Sequence, residues 1–170
     1  MYLIEKIDNY ILFIIKNHIQ NKYLDRIMST ATKAGDLGLI WIVIAFFLLL
    51  SEHYRIIGGM VIFTLIISTI MGEGILKHIV RRARPCNGGY NGLLLISKPV
   101  SYSFPSGHTL SSFASASVLS MYFRQYSFIF FIIAFIIALS RIYLYVHYPT
   151  DVIGGIVFGL LCSKLIFIIL

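Results

Sequence analysis

The chain has 170 residues, of which 58% are hydrophobic and only 12% are charged, and it carries a net charge of +7. Soluble domains have about 25% charged residues, so this composition excludes a disordered chain, a disulfide scaffold and almost any soluble enzyme. It indicates a single integral membrane domain over residues 1–170. The positive charge favours lipid headgroups or a phosphorylated substrate, rather than nucleic acid, as the anionic partner.

Residues 1–20 predict an amphipathic helix that lies in the membrane interface. Apolar positions recur at intervals of three and four residues, and Glu5, Lys6, Asp8 and Lys16 lie among them. These charges, with no small-residue cleavage site after them, exclude a secretory signal. An imperfect sixth spanning helix is the alternative.

Five further segments predict membrane-spanning helices, because a bilayer core needs roughly 20 apolar residues of helix. The segments are 37–50 (extended backwards towards residue 28), 56–76, 109–123 (starting as early as 106), 127–146 and 152–170. The predicted fold class is therefore all-α: a polytopic membrane helical bundle with about five transmembrane helices and the N-terminal interfacial helix. The Ser- and Ala-rich run at 111–117 indicates a helix crowded by its neighbours. Gly155 and Gly159 favour packing within the bundle over a dimer face.

The longest polar segment, residues 77–105, predicts an active-site loop on one membrane face. Five spanning helices place residues 1–36, this loop and the turn at 146–151 on that same face. Three clusters of polar residues stand there at predicted helix ends, where membrane and water meet. They are Lys77-x6-Arg84-Pro85, then Pro105-Ser106-Gly107-His108, then Ser140-Arg141-x5-His147-x3-Asp151.

The cations and the second cluster predict a pocket for a phosphoryl group. Arg84 and Arg141 carry guanidinium groups that match phosphate oxygens bidentately, and Lys77 adds a compact charge. Ser106 is a good N-cap residue, and Gly107 lets the backbone approach a ligand closely. The free N–H groups at a helix N-terminus favour an anion.

Two histidines complete this pocket. Asp151 is placed in the first turn of a helix to accept a hydrogen bond from one ring nitrogen of His147. The other nitrogen is then unprotonated and nucleophilic, which is the orienting logic of a catalytic triad. His108 is suited to protonate the leaving oxygen as a general acid.

The acidic residues predict chemistry without a metal ion. Only Glu73 and Asp151 lie near the clusters, whereas a two-metal phosphatase needs several carboxylates to hold its ions. Cys86 and Cys162 show no metal-ligand spacing. We therefore expect no metal and no cofactor. Glu73, four residues before Lys77 on one helix, is expected to pair with it and support it.

With its three clusters in this order, the sequence resembles the type 2 phosphatidic acid phosphatase superfamily of membrane phosphatases. Every motif position matches between Lys77 and Asp151. The resemblance implies an all-helical membrane bundle and metal-free hydrolysis of phosphate esters through a phosphohistidine. Many members have six full spans, so the N-terminal segment here is a departure.

The resemblance also implies roles for the motif residues. His147 corresponds to the nucleophile, Asp151 to its partner and His108 to the leaving-group acid. The phosphate-binding positions correspond to Lys77, Arg84, Ser106, Gly107 and Arg141.

A phosphatase of a membrane lipid phosphate or diphosphate is the leading functional hypothesis. A polyprenyl diphosphate, such as the cell-wall carrier lipid undecaprenyl diphosphate, is the favoured substrate, with Arg81 or Arg82 serving the second phosphate. Phosphatidylglycerol phosphate or phosphatidic acid is the runner-up. A lipid phosphotransferase, a non-catalytic lipid-binding protein and a vanadate-dependent haloperoxidase remain as alternatives, and no obligatory protein partner is inferred.

The expected location is a bacterial plasma membrane. By the positive-inside rule, the cations of the active-site face point that face to the cytoplasm. A charged flank without chemistry is the alternative interpretation of Arg81 and Arg82. The family resemblance implies the extracytoplasmic face, which we favour because phosphate-binding cations contribute to the count.

Overall fold

The structure, a computed structural model, describes residues 2–87 and 94–169. Over these ranges the protein is helical and contains no strand, which confirms the predicted all-α bundle. The helices are α1 (Tyr2–Ile14), α2 (Lys22–Gly35), α3 (Leu39–Leu49), α4 (Arg55–Thr69), α5 (Lys77–Val80), α6 (Gly107–Tyr122), α7 (Ser127–Tyr143) and α8 (Pro149–Ile169).

Four helical stretches within the described ranges are long and apolar enough to cross a membrane. They are Lys22–Leu49, Arg55–Val80, Arg124–Tyr143 and Pro149–Ile168. The first joins α2 to α3 across a kink at Leu37 and Gly38, both with positive φ. The second joins α4 to α5 through a π-helical segment, Ile70–Leu76. The second stretch thus extends to Val80, into the segment predicted as a loop.

The remaining predicted span, 109–123, forms α6, which has 16 residues. At 1.5 Å per residue it is about 24 Å long, shorter than a bilayer core of about 30 Å. α6 occupies the centre of the bundle and packs against α4, α7 and α8. Gly155 and Gly159 allow this close approach, because a Cβ there would lie 2.8 Å from the Ser106 carbonyl oxygen and 2.6 Å from that of Leu110. α6 is therefore the crowded helix that its small residues predicted.

α1 turns a charged residue inward and apolar residues outward. Asp8 and Leu12 are fully buried, whereas Leu3, Ile7 and Phe13 are exposed. The sequence pattern had suggested only that the charges of this helix face water. The exposed apolar side chains suit contact with lipid, and a location in the membrane interface stays a prediction.

Three chain regions meet at one end of the bundle. Asp8 of α1 contacts Arg82 and Thr150, and Asp25 of α2 accepts a hydrogen bond of 2.6 Å from the Tyr143 hydroxyl. The N-terminal region, the segment after α5 and the α7–α8 turn therefore lie together, as the predicted topology required.

Candidate active site

A cavity of about 330 Å³ lies at this end of the bundle. It is lined by residues from all three sequence clusters: Lys77, Arg84, Gly107, His108, Arg141 and His147. Ser106 and Asp151 are fully buried behind it. A larger groove of about 740 Å³ along α2 contains no residue of the three clusters, so the smaller cavity is the candidate site.

Lys77 projects from the first turn of α5 and is 2% exposed. Its Nζ donates to Glu73 Oε1 at 2.5 Å and to Ser101 Oγ at 2.9 Å. The pairing predicted from the four-residue spacing is therefore present. Glu73 remains 44% exposed, so it neutralises Lys77 from the rim of the cavity.

Arg84 is held in a fixed orientation by the backbone on two sides. Its Nε donates to the Ser101 carbonyl oxygen at 2.7 Å, and its Nη1 donates to that of Val146 at 2.8 Å. The same Nη1 lies 3.1 Å from Nε2 of His147. Arg84 thus places a buried positive charge directly beside the imidazole.

Arg141, in the last turn of α7, is the third buried cation. Its Nη1 donates to Thr32 Oγ1, and its Nε has no hydrogen-bond partner among the described residues. Lys77, Arg84 and Arg141 therefore meet at one cavity with Glu73 as the carboxylate on its wall. Buried charge without a full counter-charge is costly, so the electrostatics of this cavity favour an anion.

The N-terminus of α6 enters the cavity at Gly107 and His108. Ser106 stands at the N-cap position, but its hydroxyl accepts from Thr109 Oγ1 at 2.9 Å and caps no backbone N–H. The expectation that its side chain caps the helix is therefore wrong, because Thr109 competes for that oxygen. A Cβ at Gly107 would collide with Glu73 Oε1, so any other residue here would require the Glu73 side chain to move.

His147 is 1% exposed, and its two ring nitrogens face opposite charges. Nε2 faces Arg84, which can only donate a hydrogen bond, so Nε2 is the acceptor and the ring proton sits on Nδ1. Nδ1 lies 3.6 Å from Asp151 Oδ2 and has no hydrogen-bond partner among the described residues, so the hydrogen bond expected between these side chains is not formed. Burial lowers the pKa of His147 to about 3; Asp151 opposes this shift, and the charges of Arg84 and Arg141 add to it. The imidazole is therefore neutral at pH 7, with the Nε2 lone pair available.

Three neighbours hold the Asp151 carboxylate. Oδ2 accepts from the Tyr148 backbone N–H at 2.8 Å and from the Ser103 hydroxyl. Oδ1 accepts from Arg82 Nη1 at 2.7 Å. The carboxylate is therefore fixed in direction beside the Nδ1 side of His147.

His108 has a carboxylate partner that the sequence did not reveal. Its Nε2 lies 2.8 Å from Asp36 Oδ1, at the kink between α2 and α3. Burial and the nearby charge of Arg141 lower the pKa of His108 to about 4, and the Asp36 carboxylate opposes this shift. Ser101, whose hydroxyl accepts from both Lys77 and Arg84, was also missed. Neither residue belongs to a spacing pattern, and both are placed by tertiary packing.

Neither Arg81 nor Arg82, which were expected to serve a second phosphate, lines the candidate site. Arg82 binds Asp8 and Asp151, and Arg81 Nε donates to the His78 carbonyl oxygen at 2.9 Å. Both arginines line a separate cavity of about 520 Å³ beside Ile4. Arg82 therefore reaches the candidate site through Asp151 and not through the phosphate cavity.

Comparisons with known proteins identify the family. The model of the PAP2 superfamily matches residues 55–170. The undecaprenyl-diphosphatase of Sulfolobus acidocaldarius is 34% identical over 152 residues, which cover 89% of this chain and 73% of that protein.

Two crystal structures have the same fold. A transmembrane PAP2-type phosphatidylglycerolphosphate phosphatase from Bacillus subtilis superposes with a TM-score of 0.80 at 24% identity, over 99% of this chain and 87% of that one. The structure of Aquifex aeolicus LpxE gives a TM-score of 0.79 at 28% identity, over 93% of each chain. With the four apolar helices, these matches make the chain an integral membrane protein.

Proposed function

The chain belongs to the PAP2 superfamily of membrane lipid phosphatases, as its motifs predicted, and we propose that it hydrolyses a lipid phosphate or diphosphate through a phosphohistidine at His147. The observation that carries this proposal is the meeting of three buried cations and two histidines at one cavity. We propose that residues 1–170 act as one phosphatase domain.

The proposed reaction has two steps. The phosphoryl oxygens bind Lys77, Arg84 and Arg141, and Nε2 of His147 attacks phosphorus in line with the leaving oxygen. As the P–N bond forms, the P–O bond to the lipid breaks, and His108 gives its proton to the leaving oxygen. Asp151 stabilises the positive charge on the ring. Water then attacks phosphorus and His108 takes its proton. The P–N bond breaks, its electron pair returns to Nε2 of His147, and phosphate is released.

We propose that this chemistry needs no metal ion, because the phosphate charge is balanced by the three cations. Within the described ranges, no group of three or more His, Cys, Asp or Glu side chains is arranged to hold a metal. Activity should therefore survive EDTA and fall with vanadate, which imitates five-coordinate phosphorus. The measurement is phosphate release by the purified protein in detergent. Loss on chelation that Mg²⁺ restores would contradict this proposal.

An apolar groove supports a lipid as the substrate. The groove has a volume of about 330 Å³ and runs between α3 and α4. It shares Leu37, Leu65 and Thr69 with the wall of the candidate site. A hydrocarbon chain in this groove would leave its headgroup at the histidines.

A polyprenyl diphosphate is the substrate we propose, with undecaprenyl diphosphate as the example, giving the monophosphate. An adjoining cavity of about 350 Å³ shares His108 and Arg141 with the site and adds Lys33, together with the Asp36 carboxylate that pairs with His108. A leaving phosphate beside His108 would meet Lys33 there. The name of the Sulfolobus relative supports this choice.

A lipid phosphate monoester, such as phosphatidylglycerol phosphate or phosphatidic acid, is the second candidate. Arg82 forms ion pairs with Asp8 and Asp151. These ion pairs favour a monoester, because Arg82 had been expected to bind the second phosphate of a diphosphate. A phosphotransferase, in which an acceptor other than water takes the phosphoryl group, stands third.

A substrate panel distinguishes the first two candidates. Undecaprenyl or farnesyl diphosphate should give a higher kcat/KM than either glycerophospholipid monophosphate in the same detergent. Lys33→Ala should raise KM for the diphosphates more than for the monophosphates, whereas Lys22→Ala, on the same helix but outside both cavities, should change neither. A clear preference for the monophosphates would promote the second candidate.

We further propose that the active-site end faces away from the cytoplasm of a bacterial plasma membrane. This orientation suits the recycling of a carrier lipid, and the family resemblance supports it. The positive-inside rule opposes it, but three of the cations at this end, Lys77, Arg84 and Arg141, belong to the phosphate site.

A further inference from the structure

Asp8 is a fully buried carboxylate on a helix whose neighbouring apolar side chains are exposed. Its Oδ1 accepts from the Thr150 backbone N–H at 3.0 Å. Its Oδ2 accepts from the Thr150 hydroxyl at 2.5 Å and from Arg82 Nη2 at 2.6 Å. These contacts join α1 to Thr150, which precedes Asp151 in the chain, and to Arg82.

Arg82 connects this carboxylate to the candidate active site. One end of its guanidinium, Nη2, binds Asp8, and the other, Nη1, donates to Asp151 Oδ1 and to Thr150 Oγ1, both at 2.7 Å. Its Cζ lies 4.1 Å from the centre of the Tyr148 ring. The planar guanidinium group of an arginine can bind two carboxylates at once, whereas the ammonium group of a lysine is a single point charge.

One of the two carboxylate oxygens of Asp151 is held by the Arg82 guanidinium group. Oδ2 is held by Ser103 and the Tyr148 backbone, but Oδ1 is held by Arg82. Without Arg82, the buried carboxylates of Asp8 and Asp151 would lack the cation between them. Their repulsion would then turn or protonate Asp151, and His147 would lose the group that orients its ring.

From these contacts we propose that Asp8 and Arg82 are positioning residues that hold Asp151 in its catalytic orientation, so that the N-terminal helix completes the active site. This inference rests on the proposed role of His147 as the nucleophile. Neither Asp8 nor Arg82 belongs to the three motifs, and neither lines the phosphate cavity. They act on the substrate only through Asp151 and His147.

The test compares Asp8→Asn and Arg82→Lys with the wild-type full chain in detergent, using farnesyl diphosphate and an aryl phosphate. Both variants should lower kcat by about 10- to 100-fold, the usual cost of losing an orienting partner, and leave KM and inhibition by vanadate within about twofold. Lys77, Arg84 and Arg141, which bind the phosphoryl oxygens in the proposed reaction, are unchanged in both variants. Asp25→Asn is the matched control, since Asp25 ties α2 to Tyr143 through one hydrogen bond and does not contact Asp151. It should keep kcat near the wild-type value.

A double-mutant cycle separates positioning from a general structural role. In an Asp151→Asn background, Asp8→Asn should lower kcat by less than about a further twofold, because the carboxylate that Asp8 positions is already gone. An equal loss in both backgrounds, or a wild-type kcat in folded Asp8→Asn, would overturn the inference. If Asp8→Asn does not fold, the kcat of Arg82→Lys is compared in the wild-type and Asp151→Asn backgrounds. An equal loss in both would again overturn the inference. If instead His147→Ala keeps activity, the proposed function itself fails.

Discussion

Replacing His147 with alanine should lower phosphate release by more than about 10³-fold, because the covalent route is lost and water has no equivalent position. The imidazole is neutral, buried and directed by Arg84 and Asp151, so its Nε2 has no substitute at the cavity. The measurement is phosphate release from lipid substrate by purified protein.

Two further variants control this result. His147→Asn preserves more of the side-chain volume and should be equally inactive. His78→Ala changes an exposed histidine outside the cavity and should keep normal activity. Near-normal turnover by a folded His147→Ala protein would show that another group accepts the phosphoryl.

Replacing His108 with alanine should slow hydrolysis of a lipid phosphate by about 10²- to 10⁴-fold, the range expected for a lost general acid. The alkoxide that leaves a lipid phosphate monoester is a poor leaving group and needs the proton, whereas a nitrophenolate leaves without one. The defect should therefore be much smaller with p-nitrophenyl phosphate.

The structure adds a variant to this experiment. Asp36 contacts Nε2 of His108, so Asp36→Asn should weaken the acid and reproduce part of the same leaving-group dependence. Equal defects of His108→Ala on the lipid and the aryl phosphate would show that His108 has another role.

The parts of the site that lie within one local pattern were predictable from the sequence. Lys77 and Glu73 are four residues apart on one helix, and that spacing alone brings them into contact. His147 and Asp151 are similarly close because a turn leads directly into the helix. The apolar runs predicted five spans, because their length is set by the bilayer, and four helical stretches among the described residues are long and apolar enough to cross it.

The parts that depend on packing between distant elements were not predictable. Asp8 looks like an ordinary polar position on an amphipathic helix, and its burial depends on where α1 docks. Arg82 looked like a free cation because its two carboxylate partners are 74 and 69 residues away. Asp36 reaches His108 through the kink at Leu37 and Gly38, which no hydrophobic period encodes.

The most direct test of the account is to identify the phosphorylated residue. The His108→Ala variant should form the intermediate rapidly from p-nitrophenyl phosphate and hydrolyse it slowly, since the group that activates water in the second step is missing. After rapid quenching in alkaline detergent, which preserves phosphohistidine, peptide mass spectrometry should find one phosphoryl group on His147. A phosphoryl group on any other residue, or turnover with no covalent phosphate in a quench fast enough to precede hydrolysis, would contradict the account.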